Sequence, residues 1–455
     1  MSVARWGGTL PPVTVEPLRL TTTERRAQRP ALVILGVVTR AWVRGPGAAL
    51  CRQAPPAFTL SRPEPLGDGF WRARESALHL VELNHLDELE HLPSLDARDE
   101  GGAPAPSRIR DAADLALRNR GGRVELALAE HDGGLPWALC PDPSRPELDE
   151  LFDRLLDLRH GAIVLAPDAG GPDPLAARVS ALGHDNFGDH DADARRARMM
   201  RLAARLGPRL NDRHQLLLLD DIPAPDDHQG AHWHLHFADM DVALCAWSGS
   251  ALGMARHGWR SAAAALGGVL SRAVGSLDLL APVESPSLFA QAVELGPGRP
   301  PSPDERHHAA SSAARAAEHL SLIAIDDRAN AGRVLQDRSM RRPFGAWPLT
   351  AMWTAKQVVR RLTQLAESFV FKSADERTAA QLQAVLELGL LRLARAGALA
   401  PMDNGQLAQV SASVERDRGA PALRAEVTVS LRPWITAVRV LLSLEADAPP
   451  RAALL

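Results

Sequence analysis

Apolar and polar positions change period several times along this chain, and the changes outline its elements. Ala31-Leu-Val-Ile-Leu-Gly-Val-Val38 is a continuous, β-branched-rich run that reads as a buried strand, followed by the turn Arg44-Gly45-Pro46-Gly47. From Ser107 the spacing becomes helical, with Ile109, Ala112, Ala113, Ala116 and Leu117 on one face. Gly121-Gly122 then stops the helix and Val124 to Leu128 alternates as a strand. The unit recurs twice: a helix over Leu148 to Leu158 hands over to Ala162 to Ala166, and Met199 to Leu210 hands over to Gln215 to Asp220. Three successive helix–strand units predict an α/β layer with a partly parallel sheet. Val242 to Trp247 is expected as a strand, Arg260 to Val274 as a helix, and Ala317 to Ile325 leads into a further strand.

The character changes towards the C-terminus. Thr354 to Phe371 places Val358, Val359, Leu362, Leu365, Ala366 and Phe369 on one face. Ser373-Ala-Asp-Glu376 matches an S-x-x-E capping box, opening a helix to about Ala396 with Leu382, Val385, Leu386, Leu390 and Leu393 inward and Gly397 as its C-cap. Two strands, Leu423 to Val429 and Ile435 to Leu444, follow. Pro11, Pro12, Pro17 and Thr21 to Thr23 make the first residues an extended arm, while the Pro55, Pro56, Pro63 and Pro65 segment, Gly101 to Pro106 and residues 293 to 309 read as connections. The expected fold class is α/β plus α+β: a mixed sheet flanked by helices, a compact C-terminal α+β domain and extended terminal arms. The expected divisions are an arm at 1–29, an α/β region at 30–335, a C-terminal domain at 336–445 and a tail at 446–455.

Composition narrows the function. The chain has 455 residues, with 52 Lys and Arg against 55 Asp and Glu, a net charge of −3 that argues against a nucleic-acid partner. Arg alternates with Asp and Glu, Lys occurs only at 356 and 372, and Tyr is absent, so the ten Trp supply the large amphipathic contacts; Trp247, Trp347, Trp353 and Trp434 are the first candidates for interfaces. Cys51, Cys140 and Cys245 are odd in number and widely spaced, as reduced thiols are. The sequence opens without a charged region followed by an apolar core, and its apolar runs are too short to cross a bilayer, so a cytoplasmic location without membrane insertion is expected.

Candidate chemistry is sparse. His232, His234 and His236 would point to one side of a strand and could bind zinc with Asp239 or Asp241, the basis of a metal-dependent hydrolase reading; the alternative is an exposed polar face in a chain with sixteen His. His184 to Asp193 reads as a solvated acidic loop that lacks the EF-hand spacing. The Gly-Gly pairs at 121, 133, 170 and 267 belong to no phosphate-binding motif, and Ser248-Gly249-Ser250 to no nucleophile elbow. No catalytic residue, no cofactor and no metal is therefore expected, and the chain is not read as an enzyme.

The order of the segments resembles the contractile tail sheath family of phage tails and extracellular contractile injection systems and, more distantly, the large sheath subunit of type VI secretion systems. Leu32 to Pro46 is similar to the family's early strand with its Gly-Pro turn, and Ile109 to Leu126 to its helix, Gly-Gly turn and strand. Leu155 to Pro167 resembles the helix and strand that lead to Ala-Pro, and Asn211 to Pro223 the Asp-Arg, apolar strand, Asp-x-Pro passage. Val242 to Trp247, Ala251 to Arg256 and Trp259 follow in the family's order. The likeness is strongest in Val358 to Leu362, Phe369 to Phe371, the Leu382 to Leu393 helix, Ala396 to Leu399 and Val427 to Pro433. The resemblance implies a structural subunit that polymerises as stacked hexameric rings around an inner tube and contracts to drive the tube through a target envelope. Its partners would be further copies of itself, the inner tube protein, and baseplate and cap proteins, with terminal segments pairing with strands of neighbouring subunits. Ser261-Ala-Ala-Ala-Ala stands where the family carries Ala-Pro-Ala-Asn, and the Pro-Gly-Val-Tyr and Trp-Gly-Ala-Arg-Thr strands are missing. These departures admit a second reading, a diverged paralogue that caps or adapts the sheath.

Overall fold

In the computed structural model the first apolar run forms β1 (Leu32–Val38), with all seven residues buried, the pattern of a strand covered on both faces. The structure describes residues 32–89 with breaks at 39, 46, 54–55 and 68–69; 97–98; 104–105; 108–130 with a break at 120–123; 146–170 with a break at 159–160; 187–221; 237; 240–248; 261–273; 291–295; 320–340 with a break at 327–330; 348–444 with breaks at 371, 396, 403–404, 418–419 and 432–435; and 451–454. The arm expected at 1–29 lies outside the described residues.

After β1 come the short helices α1 (Arg40–Arg44) and α2 (Ala48–Gln53) and a long hairpin of β2 (Pro56–Gly67) and β3 (Phe70–Leu83). A small pair, β4 (Ala97–Arg98) with β5 (Pro104–Ala105), precedes α3 (Ile109–Asn119) and β6 (Val124–Glu130). Two more helix–strand units follow: α4 (Pro146–Leu158) with β7 (Ile163–Leu165), and α5 (Phe187–Asp212) with β8 (Leu216–Asp220). Then come β9 (Val242–Ser248), α6 (Ala262–Ala273), β10 (Ala292–Glu294), β11 (Ser321–Asp326) and β12 (Ala331–Gln336). Apart from β4 and β5, these strands form one ten-stranded sheet in the order β10-β12-β11-β9-β8-β7-β1-β6-β3-β2. From β11 to β6 neighbouring strands run parallel, and antiparallel strands close both sides.

Helices cover both faces of this sheet. Leu32, Ile34 and Val38 of β1 join the core shared with α3 and α6, while Val33, Leu35 and Val37 join the core made with α4 and α5. The Gly-Gly pair at 267 has a packing role: a Cβ on Gly267 would press on Leu32 and Leu218, and one on Gly268 would stand 2.9 Å from the Ala116 carbonyl. α6 thus wedges between the sheet and α3 because two adjacent positions carry no side chain.

The C-terminal part comprises α7 (Leu349–Glu367), α8 (Glu376–Arg395) and an antiparallel five-stranded sheet of β13 (Leu399–Ala400), β14 (Ala408–Asp417), β15 (Ala420–Leu431), β16 (Thr436–Leu444) and β17 (Arg451–Leu454). The core on the α3 and α6 face continues through α7 into the inner side of this second sheet, so a single apolar interior joins the two. The architecture is α/β with helices on both faces of a mixed sheet, followed by an α+β layer.

Several elements depart from the sequence expectation. α7 starts at Leu349, five residues before the expected Thr354, because Asp337 reaches its first turn: the Thr350 amide donates to Asp337 Oδ1 at 3.2 Å. α8 starts at Glu376, so its cap is Asp375 and not Ser373; Asp375 Oδ1 accepts from the Thr378 amide at 2.8 Å and Ser373 Oγ donates to the same carboxylate. Its other end is as expected: Gly397 adopts φ +85°, the Ala398 amide reaches Leu393 O at 3.1 Å, and the Gly397 amide reaches Ala394 O at 2.9 Å, a Schellman motif. α5 begins at Phe187, so positions 189 to 193 lie in its first turns and not in a loop. Arg451–Leu454, expected within a tail, pair with β16.

Candidate functional site

In an open parallel sheet, ligands bind outside the carboxyl ends of the strands, where helix N-termini attract anions. Here the chain's own carboxylates occupy those positions. Asp220, the last residue of β8, accepts the Ala263 amide at 2.9 Å and the Ser261 hydroxyl at 2.8 Å, and Ser261 Oγ in turn accepts the Ala264 amide at 2.9 Å, so the start of α6 is capped twice. Asp168, in the turn after β7, accepts the Arg108 amide at the start of α3 at 2.8 Å. Burial pushes the Asp220 carboxyl up to about 6, against the hydrogen bonds from Ala263 and Ser261 that hold it down. Burial, followed by the charges of Asp220, Asp221 and Asp337, pushes the neighbouring Cys245 thiol well above its ordinary range. These two helix starts are therefore structural joints filled with negative charge, the opposite of a phosphate cradle.

The amino edge of the sheet carries the joint to the C-terminal part. Lys356 of α7 donates to Asp241 Oδ2, just before β9, at 2.6 Å, and both side chains are only 3% exposed. Along the same helix Arg360 lies over Gly161, the turn before β7, where a Cβ would meet its Cδ at 2.7 Å. Asp337 caps α7 from the end of β12, so α7 is fastened to the large sheet at three separated points. Asp241, expected as a carboxylate partner of the histidine strand, is thus committed to a buried ion pair. His232, His234, His236 and Asp239 lie outside the described residues, and among the described residues no group of three or more His, Cys, Asp or Glu could hold a metal ion. Trp353, expected at an interface, is fully buried in the core.

A polar cluster that no spacing announces gathers at the carboxyl ends of β1 and β6. Arg40 Nε donates to Glu130 Oε1 at 2.8 Å and its second nitrogen to the Glu75 carbonyl at 2.8 Å, while His79 Nε2 stands 3.5 Å from Glu130 Oε2. The Cys51 thiol and then Glu130 raise the His79 imidazole to about 9, and His79 and then Arg40 hold the Glu130 carboxyl low. The cluster ties α1, α2 and the β2–β3 hairpin to the sheet.

What remains open is backbone. The β17 strand pairs with Val440 to Ser443 of β16, whereas β15 pairs with β16 along its whole length, so among the described strands Thr436 to Arg439 carry no partner on the outer side. Among the described strands β14, which pairs with β15 on the side it shares with β13, has no partner beyond it, and on α8 Leu388 and Leu391 are 50% and 38% exposed. Among the described residues no helix is long and apolar enough to cross a membrane.

No protein-family model matches this chain, and no curated protein sequence matches it. Solved structures align with most of this chain. A chain of the anti-feeding prophage baseplate aligns at 13% identity with a TM-score of 0.49, covering 94% of this chain and 97% of its own. The anti-feeding prophage helical sheath in its contracted state aligns at 14% identity with a TM-score of 0.45, covering 84% and 83%. The sheath tail protein of Listeria innocua aligns at 8% identity with a TM-score of 0.42, covering 92% and 96%.

Proposed function

We propose that this chain is a structural subunit of a contractile sheath, built to polymerise around an inner tube and not to catalyse. The reading is carried by the ordered sequence segments that resemble the sheath family from residue 31 to 445. The open antiparallel edge of the C-terminal sheet supports it, since extended segments of neighbouring subunits could add there by β-augmentation. Heterologous contacts of this kind close into rings where the rotation closes and continue as helical stacks where it does not. A chain whose helix starts are self-capped and whose two parts share one interior suits a load-bearing role, with function at the subunit contacts. In this reading the partners are further copies in hexameric rings, a tube protein, and baseplate and cap proteins, and the assembly forms in the cytoplasm.

Negative-stain electron microscopy of the purified full chain, alone and with its tube protein, tests the proposal: regular tubes are expected, and persistent monomers with and without the tube would sink it. Deleting residues 1–25 should leave a folded monomer that does not polymerise, and tubes of unaltered length would remove the arm from the mechanism. Stoichiometric zinc that disappears in His234→Ala would favour the hydrolase instead.

A further inference from the structure

α7 is buried on every side from Leu349 to Val359, so its polar residues cannot turn to solvent and each needs a partner inside the protein. Helical spacing sorts four of them into one stripe, Trp353, Lys356, Gln357 and Arg360 at i, i+3, i+4 and i+7. Two of the four are answered by the large sheet: Lys356 donates to Asp241 Oδ2 at 2.6 Å, and Arg360 lies over Gly161. The other two are not. Trp353 is fully buried and Gln357 is 2% exposed, yet none of their three polar atoms, Trp353 Nε1, Gln357 Nε2 and Gln357 Oε1, has a hydrogen-bond partner among the described residues. An indole N–H and both ends of an amide left bare at this depth cost more than a marginally stable fold carries, so they mark a bound molecule.

The chemistry of these atoms says which molecule. Trp353 Nε1 and Gln357 Nε2 are donors and Gln357 Oε1 is an acceptor, all of them neutral, and the Lys356 charge between them is already answered by Asp241. An anion would face the Gln357 oxygen and a cation the two N–H groups, whereas water both accepts and donates. Side chains one helical turn apart are also near enough for a single water to bridge. We propose that this stripe holds internal water in the joint between α7 and the large sheet: one molecule accepts the Trp353 indole N–H and donates to Gln357 Oε1, and a second accepts from Gln357 Nε2. Three polar atoms beside a buried ion pair are the surroundings in which an internal water is retained, while an apolar void would stay dry. The joint is then part ion pair and part water, and its waters belong to the fold as much as the side chains do. The inference stands on the buried atoms alone and does not depend on the sheath reading.

The test uses the soluble full chain carrying isotope-labelled tryptophan, whose ten indole N–H signals are resolved by NMR; the Trp353 signal is the one missing in Trp353→Phe. Cross-relaxation between water and that indole proton is read in laboratory-frame and rotating-frame experiments, which together separate a long-lived neighbouring water from proton exchange. The parent should show the long-lived contact at Trp353, and Gln357→Met, which keeps nearly the same volume without the amide, should lose it. Urea denaturation gives a second reading: deleting a bare amide from a dry core would raise the midpoint, whereas deleting one that water satisfies should not. A parent without the contact overturns the site, as does a contact of unchanged intensity in Gln357→Met or a midpoint that rises in that variant. The parent spectrum needs no change at Gln357, so it decides the matter even if Gln357→Met fails to fold.

Discussion

The Lys356–Asp241 pair makes the strongest quantitative claim, because it joins the two parts of the molecule through two buried charges. At 2.6 Å and an effective dielectric near 20 the attraction is about 6 kcal/mol. Desolvation costs several kcal/mol per ion, so the pair nets little against an apolar replacement of the same volume. Removing one member is different, since the other, buried in the parent, then loses this ion pair. Lys356→Met should therefore cost about 3–5 kcal/mol, whereas Lys356→Met combined with Asp241→Leu should return to within about 1–2 kcal/mol of the parent. Urea unfolding followed by tryptophan fluorescence is a suitable assay, as Trp353 lies one turn away in the same buried helix. A single variant that loses less than about 1 kcal/mol, or a double variant no better than the single, would refute the account of the joint.

Three further outcomes follow from other joints. His79 is raised above its unfolded value, so its contribution, up to about 3 kcal/mol, is fully present below pH 6.5 and lost as pH rises through 9; His79→Gln should flatten the fall in denaturation midpoint between pH 7 and 9, and an unchanged slope would contradict the cluster. Gly268→Ala places a methyl group against the Ala116 carbonyl and should cost about 1–3 kcal/mol by chemical denaturation; a neutral result would mean that α6 can shift away from α3. Asp220→Asn keeps an acceptor for the Ala263 amide while discarding a buried charge whose pKa is about 6, so it should match or exceed the parent in stability at pH 7. Asp220→Ala should cost about 1–3 kcal/mol, and equal losses in the two would show that the charge itself matters.

Legibility followed the physics of each element. The three helix–strand units were readable because their helices keep a 3.6 period and because β7 and β8, buried on both faces, leave apolar runs, while β6 showed as an alternation around the buried Glu125. The β2–β3 hairpin was hidden by Pro56, Pro63 and Pro65, which read as a connection, although proline is tolerated in the outermost strand of a sheet, where alternate N–H groups face away from the ladder. β14 did carry a signal: Ala408, Val410, Ala412 and Val414 alternate with exposed polar residues, a half-buried strand that period-two counting would have found. β17 carried none, since Arg-Ala-Ala-Leu has little strand preference and takes its conformation from the β16 edge and from packing against α7 and the core.

The sequence alone therefore determined which segments are buried, their helical or extended period, the glycine stop after α8 and the order of segments that suggests a sheath, all of them local or one-dimensional properties. Tertiary structure decided what each polar residue is for. Asp241 is spent on Lys356 rather than on a histidine strand, Asp220 and Asp168 cap helices distant in sequence, and Arg40, Cys51, His79 and Glu130 meet only because four separate elements converge. It also decided that the last strand closes its own sheet, because an unpaired edge takes the nearest strand that can satisfy its hydrogen bonds, whatever that strand's own propensity.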